Sequence, residues 1–278
     1  QQSNEGTSTK MSVSGLEGRE ISIRTFGSLE LHSQDAVFEI PSGTKLRSVW
    51  AALVIDPGST VSMETVAEIV WGAKQPKRSR ESVHVYISQL RAFLDSCGEF
   101  PGLIETRSGG YRLAVDKLDV DWCAFDDAMK TARPKARAGD LDGAWKDFES
   151  ALALYRGPFL SGLSDSPQLE AAVNEMNELY LACLEQRNEV MLARGDVAPL
   201  IRELLKLTRQ FPVRETMHRQ LMRALYLSER QIEALEVYNR LRHTLQGDYG
   251  VEPGRQVRNV HQSILERDCD AIREMIFV

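Results

Sequence analysis

Apolar and polar residues alternate along this chain at two different periods, and the change of period divides it. Ile21, Ile23 and Thr25, then Leu29 and Leu31, alternate with polar neighbours about Gly27, which predicts two short strands. Val37 to Ile40 reads as a third strand, ended by Pro41-Ser42-Gly43. The period then becomes helical. Leu46, Val49, Trp50, Leu53 and Val54 mark one helix, stopped by Asp56-Pro57-Gly58. Ser62 is placed to N-cap a second, with Val66, Ile69 and Val70 inward and Gly72 at its end. A third helix is expected over about 80–96, its buried face stepping +4, +3, +4 through Val83, Ile87, Leu90 and Leu94. Leu103-Ile104-Glu105-Thr106 and Tyr111 to Val115, joined at Arg107-Ser108-Gly109-Gly110, read as a hairpin.

Beyond Asp119 the period is helical throughout, with no convincing strand. Helices are expected at about 121–137, 141–155, 168–194, 197–210, 214–228, 230–246 and 254–268. Asp140, Asp196 and the Ser228-Glu229 pair mark helix starts, Gly139, Gly157, Gly195 and Gly247 punctuate them, and the last two starts are separated by close to a tetratricopeptide period. Ala234 and Tyr238 fall where that repeat places a small and a large aromatic residue. The fold class expected is mostly α with a small β part: a winged helix-turn-helix domain over 20–116, then an all-α, tetratricopeptide-like domain over 117–278. The polar stretch 1–19 reads as a disordered leader without the apolar core of a signal peptide. The junction 116–121 has neither Gly nor Pro, from which a fixed relation between the domains is expected. Phe125, Trp145, Phe148, Leu152 and Tyr155, at helical spacing, read as core.

A length of 278 residues suits two domains, and 42% hydrophobic with 27% charged residues is ordinary for a globular chain. The four cysteines, Cys97, Cys123, Cys183 and Cys269, lie far apart, which fits neither a disulfide framework nor a zinc site. No stretch of about 18 apolar residues offers a membrane span, so a cytoplasmic protein without membrane contact is expected. Charge changes the picture most. The formal net charge is −6, so any affinity for nucleic acid requires a local concentration of cations.

That concentration exists. Lys74, Lys77, Arg78, Arg80 and Arg91 face the single acid Glu81, in the loop before the third helix and on the helix itself. Opposite its buried face the helix carries Arg80, Ser82, His84, Val85, Ser88, Gln89 and Arg91. Arg can pair guanine, Gln adenine, and Val can touch a thymine methyl in the major groove. The plain alternative is the solvated face of an amphipathic helix. The order strands, two helices, third helix and hairpin is the winged-helix arrangement, and it favours the first reading.

Two runs carry a family resemblance. Val83-His-Val-Tyr-Ile-Ser-Gln-Leu-Arg91, followed by Ile104-Glu-Thr-Arg-Ser-Gly-Gly-Tyr-Arg-Leu113, resembles the OmpR-type winged helix. Ala151-Leu-Ala-Leu-Tyr-Arg-Gly-Pro-Phe-Leu160, with Glu233 to Tyr238 and Tyr249-Gly-Val-Glu-Pro-Gly254, resembles the bacterial transcriptional activation domain. Together, over about 21–265, the chain is similar to the streptomycete antibiotic regulatory protein family. Tyr155 stands where that family usually has Trp, Asp248-Tyr249 replaces a more usual Glu-Leu or Leu-Leu, and Glu81 occupies a position often basic in OmpR-type readers.

The resemblance implies a transcriptional activator. It would bind promoter double-stranded DNA at direct repeats, as a homodimer on DNA, and recruit RNA polymerase through its σ factor, α C-terminal domain and β flap. A secondary-metabolite gene cluster would be its target. The DNA-contacting residues it implies are Lys45, Arg47, Lys77, Arg78, Arg80, Ser82, His84, Val85, Ser88, Gln89, Arg91, Arg107 and Ser108, with Arg107 at the wing tip and Tyr111 packing the wing on the third helix. Trp71, Lys74, Gln75, Pro76 and Lys77 lie where OmpR-type proteins meet polymerase. No cofactor or metal is expected: Ser42-Gly43-Thr44-Lys45 is not a phosphate loop, and neither HExxH, GxSxG nor a Rossmann glycine pattern occurs. An enzyme is therefore not expected. The competing reading is a helical-repeat interaction scaffold whose winged helix docks protein rather than DNA.

Overall fold

The alternating segments at the start pair with each other because each has one face to bury. In the computed structural model, which describes residues 21–33, 36–163 and 166–274, β1 (Ile21–Arg24), β2 (Glu30–Ser33) and β3 (Ala36–Glu39) form an antiparallel sheet in that order. Ile23 lies opposite Leu31, and Leu31 opposite Phe38. The leader expected over 1–19 lies outside the described residues.

Three helices follow, α1 (Thr44–Val54), α2 (Met63–Trp71) and α3 (Ser79–Cys97). Each packs on the other two, around Val49, Trp50, Leu53, Val66, Val70, Val83, Ile87 and Leu90. Ser62 caps α2 as its sequence position predicts, its hydroxyl accepting from the Thr65 N–H at 3.0 Å. The hairpin is β5 (Ile104–Arg107) and β6 (Gly110–Leu113). A strand absent from the sequence reading, β4 (Thr60–Ser62), pairs with β6 and completes a sheet of order β4-β6-β5. Three residues are too few to show a period, and their partner is distant in sequence. Gly110 is needed at this pairing: a Cβ there would lie 2.0 Å from the Val61 carbonyl oxygen.

The helical part comprises α4 (Asp121–Arg137), α5 (Leu141–Leu154), α6 (Pro167–Arg194), α7 (Val197–Gln210), α8 (Glu215–Leu227), α9 (Gln231–Thr244), α10 (Arg255–Glu266) and α11 (Cys269–Glu274). A 3-10 turn, Lys117–Asp119, precedes them, and a π-helical turn, Leu245–Tyr249, follows α9. None of the described helices is long and apolar enough to cross a membrane.

The described residues form two compact units. The first takes in the chain up to Lys130 and the segment 150–181; the second takes in 131–149 and the chain from Ala182 on. The run Tyr155 to Leu160, read from sequence as a mark of the helical domain, belongs to the first. Phe26 and Phe159 form an antiparallel bridge, flanked by Gly27 N–H to Pro158 O at 3.0 Å and Leu160 N–H to Thr25 O at 2.9 Å. Gly157 allows this approach, since a Cβ on it would meet the Gly27 Cα at 3.2 Å. The Phe26 ring lies 5.5, 5.2 and 5.9 Å from those of Phe125, Tyr155 and Phe159. Buried Asp121 locks the corner, accepting from the Thr25 N–H and hydroxyl, the Phe26 N–H and Arg156. Burial pushes its carboxyl above the ordinary aspartate value despite these donors.

In the second unit α7 packs on α8, α8 on α9, and α10 on both α8 and α9. Ala234 and Tyr238 are buried as the repeat spacing predicts, with Tyr238 stacked on His261 at 3.8 Å. Of the five residues expected in the core, Phe125 and Phe148 are fully buried. Trp145, Leu152 and Tyr155 are only half-buried, Trp145 beneath the Arg194 guanidinium and Tyr155 against Tyr180.

Candidate nucleic-acid interface

The geometry of α3 follows from its apolar stripe. Val83, Ile87, Leu90 and Leu94 are buried, so the opposite side is held toward solvent. His84, Val85, Ser88, Gln89 and Ala92 share a shallow open surface there. Val85 is 54% exposed, which nothing in the packing of the unit requires. The Ser88 hydroxyl is turned back to the His84 carbonyl at 2.9 Å, and the Ser82 hydroxyl to the Arg78 carbonyl at 3.1 Å. Gln89 is exposed and its amide has no bond to any described residue.

The wing is pinned to this helix. The Tyr111 ring is buried, its hydroxyl 2.5 Å from His84 Nδ1. Burial pushes its phenol pKa up, so it remains a neutral hydrogen-bonding group. The Arg91 guanidinium lies 5.7 Å from the Tyr111 ring centroid. It donates to the Ile104 carbonyl at 3.1 and 2.9 Å and to the Thr106 hydroxyl at 2.9 Å.

Arg91 therefore departs from the sequence reading, which grouped it with the open face. At roughly 100° per residue it sits next to buried Leu90, on the flank of the helix, where the β5 backbone takes up its donors. Arg80 is exposed and ion-paired with Glu64; Arg107 is exposed and paired with Glu105, which also holds Arg112 at 3.0 Å. Both carboxyls are lowered, Glu64 first by the N–H at the start of α2 and then by Arg80, Glu105 first by its hydrogen bond from Arg107. Sequence reasoning missed both acids. The pair Glu105 and Arg107 carried a signal, since residues two apart share one face of a strand.

Lys45 and Arg47, on α1, are half-buried and held by carbonyls, Lys45 Nζ to Val70 O at 2.6 Å and Arg47 to Ser161 O at 3.4 Å. Ser108 is exposed at the wing turn. The loop before α3 differs from all of these. Lys74, Gln75, Pro76, Lys77 and Arg78 are all exposed, and neither lysine nor Arg78 has a carboxylate partner among the described residues. Trp71, beside the loop, is half-buried with its ring 6.3 Å from that of Tyr86. An uncompensated cationic loop thus adjoins an open helix face that mixes amide, imidazole, hydroxyl and aliphatic groups. Such a surface suits phosphates beside base edges. Among the described residues, no cluster of His, Cys, Asp or Glu is arranged to hold a metal.

Comparison with known proteins bears on the whole of this arrangement. Residues 39–113 match the family described as transcriptional regulatory protein, C terminal, and residues 120–265 match the bacterial transcriptional activator domain. The transcriptional regulatory protein EmbR of Mycobacterium tuberculosis is 33% identical over 230 residues, 82% of this chain and 59% of EmbR. The chain thus spans less than two thirds of that relative's length. Regulatory protein DnrI of Streptomyces peucetius is 31% identical over 82% of this chain and 86% of DnrI. AfsR of Streptomyces coelicolor is 35% identical over 80% of this chain but only 22% of AfsR. The solved structure of M. tuberculosis EmbR in complex with a low affinity phosphopeptide superposes with a TM-score of 0.82, at 28% identity, over 92% of this chain and 69% of that one. With a winged helix of OmpR type and an activator domain in tandem, the chain belongs to the streptomycete antibiotic regulatory protein family of transcriptional regulators.

Proposed function

We propose that the chain is a sequence-specific DNA-binding activator that places α3 in the major groove of promoter direct repeats and recruits RNA polymerase to an antibiotic biosynthetic cluster. The observation that carries this is the open face of α3, Val85, Ser88 and Gln89, next to the unpaired Lys74, Lys77 and Arg78 in a chain of net charge −6. Gln89 is the base reader, because its amide is free among the described residues and matches the adenine edge. Lys77 and Arg78 neutralise phosphates. Trp71, Lys74, Gln75 and Pro76 form the polymerase-facing side of the same loop, with the σ factor, α C-terminal domain and β flap as its counterparts. Direct repeats imply two copies side by side on one face of the duplex, hence a homodimer on DNA. This activity places the protein in the cytoplasm.

Gel-shift titration on the promoter of the neighbouring gene cluster tests the reading. Gln89→Ala should weaken binding by about 1–3 kcal/mol and relax the preference at a single base pair. Unchanged affinity and unchanged base preference would refute it. The alternative of a protein-docking winged helix predicts that neither the wild type nor the variant is retained on any promoter duplex. It draws on the internal engagement of Lys45, Arg47, Arg80, Arg91 and Arg107.

A further inference from the structure

The second unit contains a cavity of about 420 Å³, a small-molecule size, walled by α4, α5, α6, α8 and α10. Arg133 and Arg137 line it from α4, Glu185, Gln186 and Glu189 from α6, and Arg219 and Gln220 from α8. Thr216 and Gln256 also line it, as do Ala136 and the fully buried Phe148.

The charges of this cavity do not close among themselves. Glu189 accepts from Arg223 at 2.6 Å, from Gln220 at 2.9 Å and, at a longer 3.4 Å, from Arg219, whose other terminal nitrogen donates to the Gln256 amide oxygen at 2.9 Å. Glu185 is engaged by Arg214 at 2.7 Å. Arg133 meets only the Gln186 amide oxygen at 3.0 Å, and Arg137 is exposed with no carboxylate partner among the described residues. Arg219 is 6% exposed, yet its Nε has no acceptor among the described residues. A buried donor left unmade is destabilising, and three arginines line a space whose two carboxylates, Glu185 and Glu189, already have other partners. Burial pushes Arg219 below the ordinary arginine value, and neighbouring Arg223 adds to the shift while Glu189 opposes it.

The geometry points to a binding site for a small organic anion, its oxyanion held by Arg133, Arg137 and Arg219 and its carbon skeleton laid beside Ala136 and the aliphatic stems of the arginines. The planar guanidinium fork accepts either a carboxylate or a phosphate. The NH2 groups of Gln186 and Gln256, whose oxygens are held by Arg133 and Arg219, and the Thr216 hydroxyl line the space for its remaining polar groups. This site lies wholly within the second unit and does not depend on how α3 meets DNA.

The test is calorimetric titration of the full chain with benzoate, inorganic phosphate and the uncharged analogue benzamide, with chloride balancing ionic strength. The site predicts saturable millimolar binding of benzoate or phosphate but not benzamide. Arg137→Gln and Arg133→Gln should each weaken it about fivefold or more, as expected when one charge-assisted bond is removed. Arg137→Gln removes an exposed, unpaired side chain, so its fold is not at stake. Benzoate binding assigns a carboxylate ligand, and phosphate binding alone assigns a phosphorylated one. No saturable binding of either anion up to roughly 50 mM, or binding that both variants leave unchanged, overturns the proposal.

Discussion

In the first unit Lys74, Lys77 and Arg78 stand in solvent without carboxylate partners among the described residues, whereas in the second Arg187, Arg219 and Arg223 lie below the surface. There Arg187 meets Glu149 and Glu203, and Arg223 meets Glu189. Cations that hydrate freely keep their charge available for an external polyanion. Cations held in the interior commit it to internal carboxylates, and each becomes costly once its partner is gone. The first arrangement suits recognition; the second fixes how helices register, except at the cavity, where the pairing is incomplete.

The largest effect that follows is on stability. Glu189→Ala strands Arg223, which is 1% exposed, and should cost about 3–5 kcal/mol in urea unfolding. A loss below about 1 kcal/mol would mean that the interior of the second unit is wetter than its burial indicates. Next comes a pH effect at His218, 8% exposed, whose pKa is lowered to about 4, first by burial and further by Arg240, against an opposing pull from the Pro212 backbone. The unfolded chain takes up a proton near its ordinary value of about 6.5, and the folded chain does not until about 4. Stability is therefore complete above about 6.5 and falls by about 3 kcal/mol as the pH drops from there to about 4. His218→Gln should remove that slope from a series of denaturation curves; a slope unchanged in the variant would assign it to another group. The smallest effect belongs to the exposed pair Arg80–Glu64, at 69% and 57% exposure. Glu64→Gln should leave the unfolding midpoint unmoved while strengthening duplex binding, because it releases Arg80. A clear loss of stability would show this surface pair to be more structural than its exposure suggests.

Much of the fold is written locally. The +4, +3, +4 steps of Val83, Ile87, Leu90 and Leu94 place α3 and its buried face, because a helix reports its own period. Ser62 announces α2, and the helices from α4 to α10 begin and end within two residues of their sequence limits. What stays hidden depends on distant partners. β4 exists only through its pairing with β6. The segment Tyr155 to Leu160 joins the first unit through Phe26 and Thr25, far back along the chain. The open residues of α3, Val85, Ser88 and Gln89, follow from helical geometry alone. That Arg91 bonds the Ile104 carbonyl, and that the cavity gathers arginines from α4 and α8, does not.

The central claim is that the unpaired loop cations meet phosphates. Fluorescence anisotropy of the full chain on its promoter duplex, repeated across salt concentrations, tests it directly. The Lys77→Gln/Arg78→Gln double variant should flatten the log–log salt slope by about 2 relative to wild type, one unit for each phosphate no longer neutralised. A slope identical to that of the wild type would contradict the account.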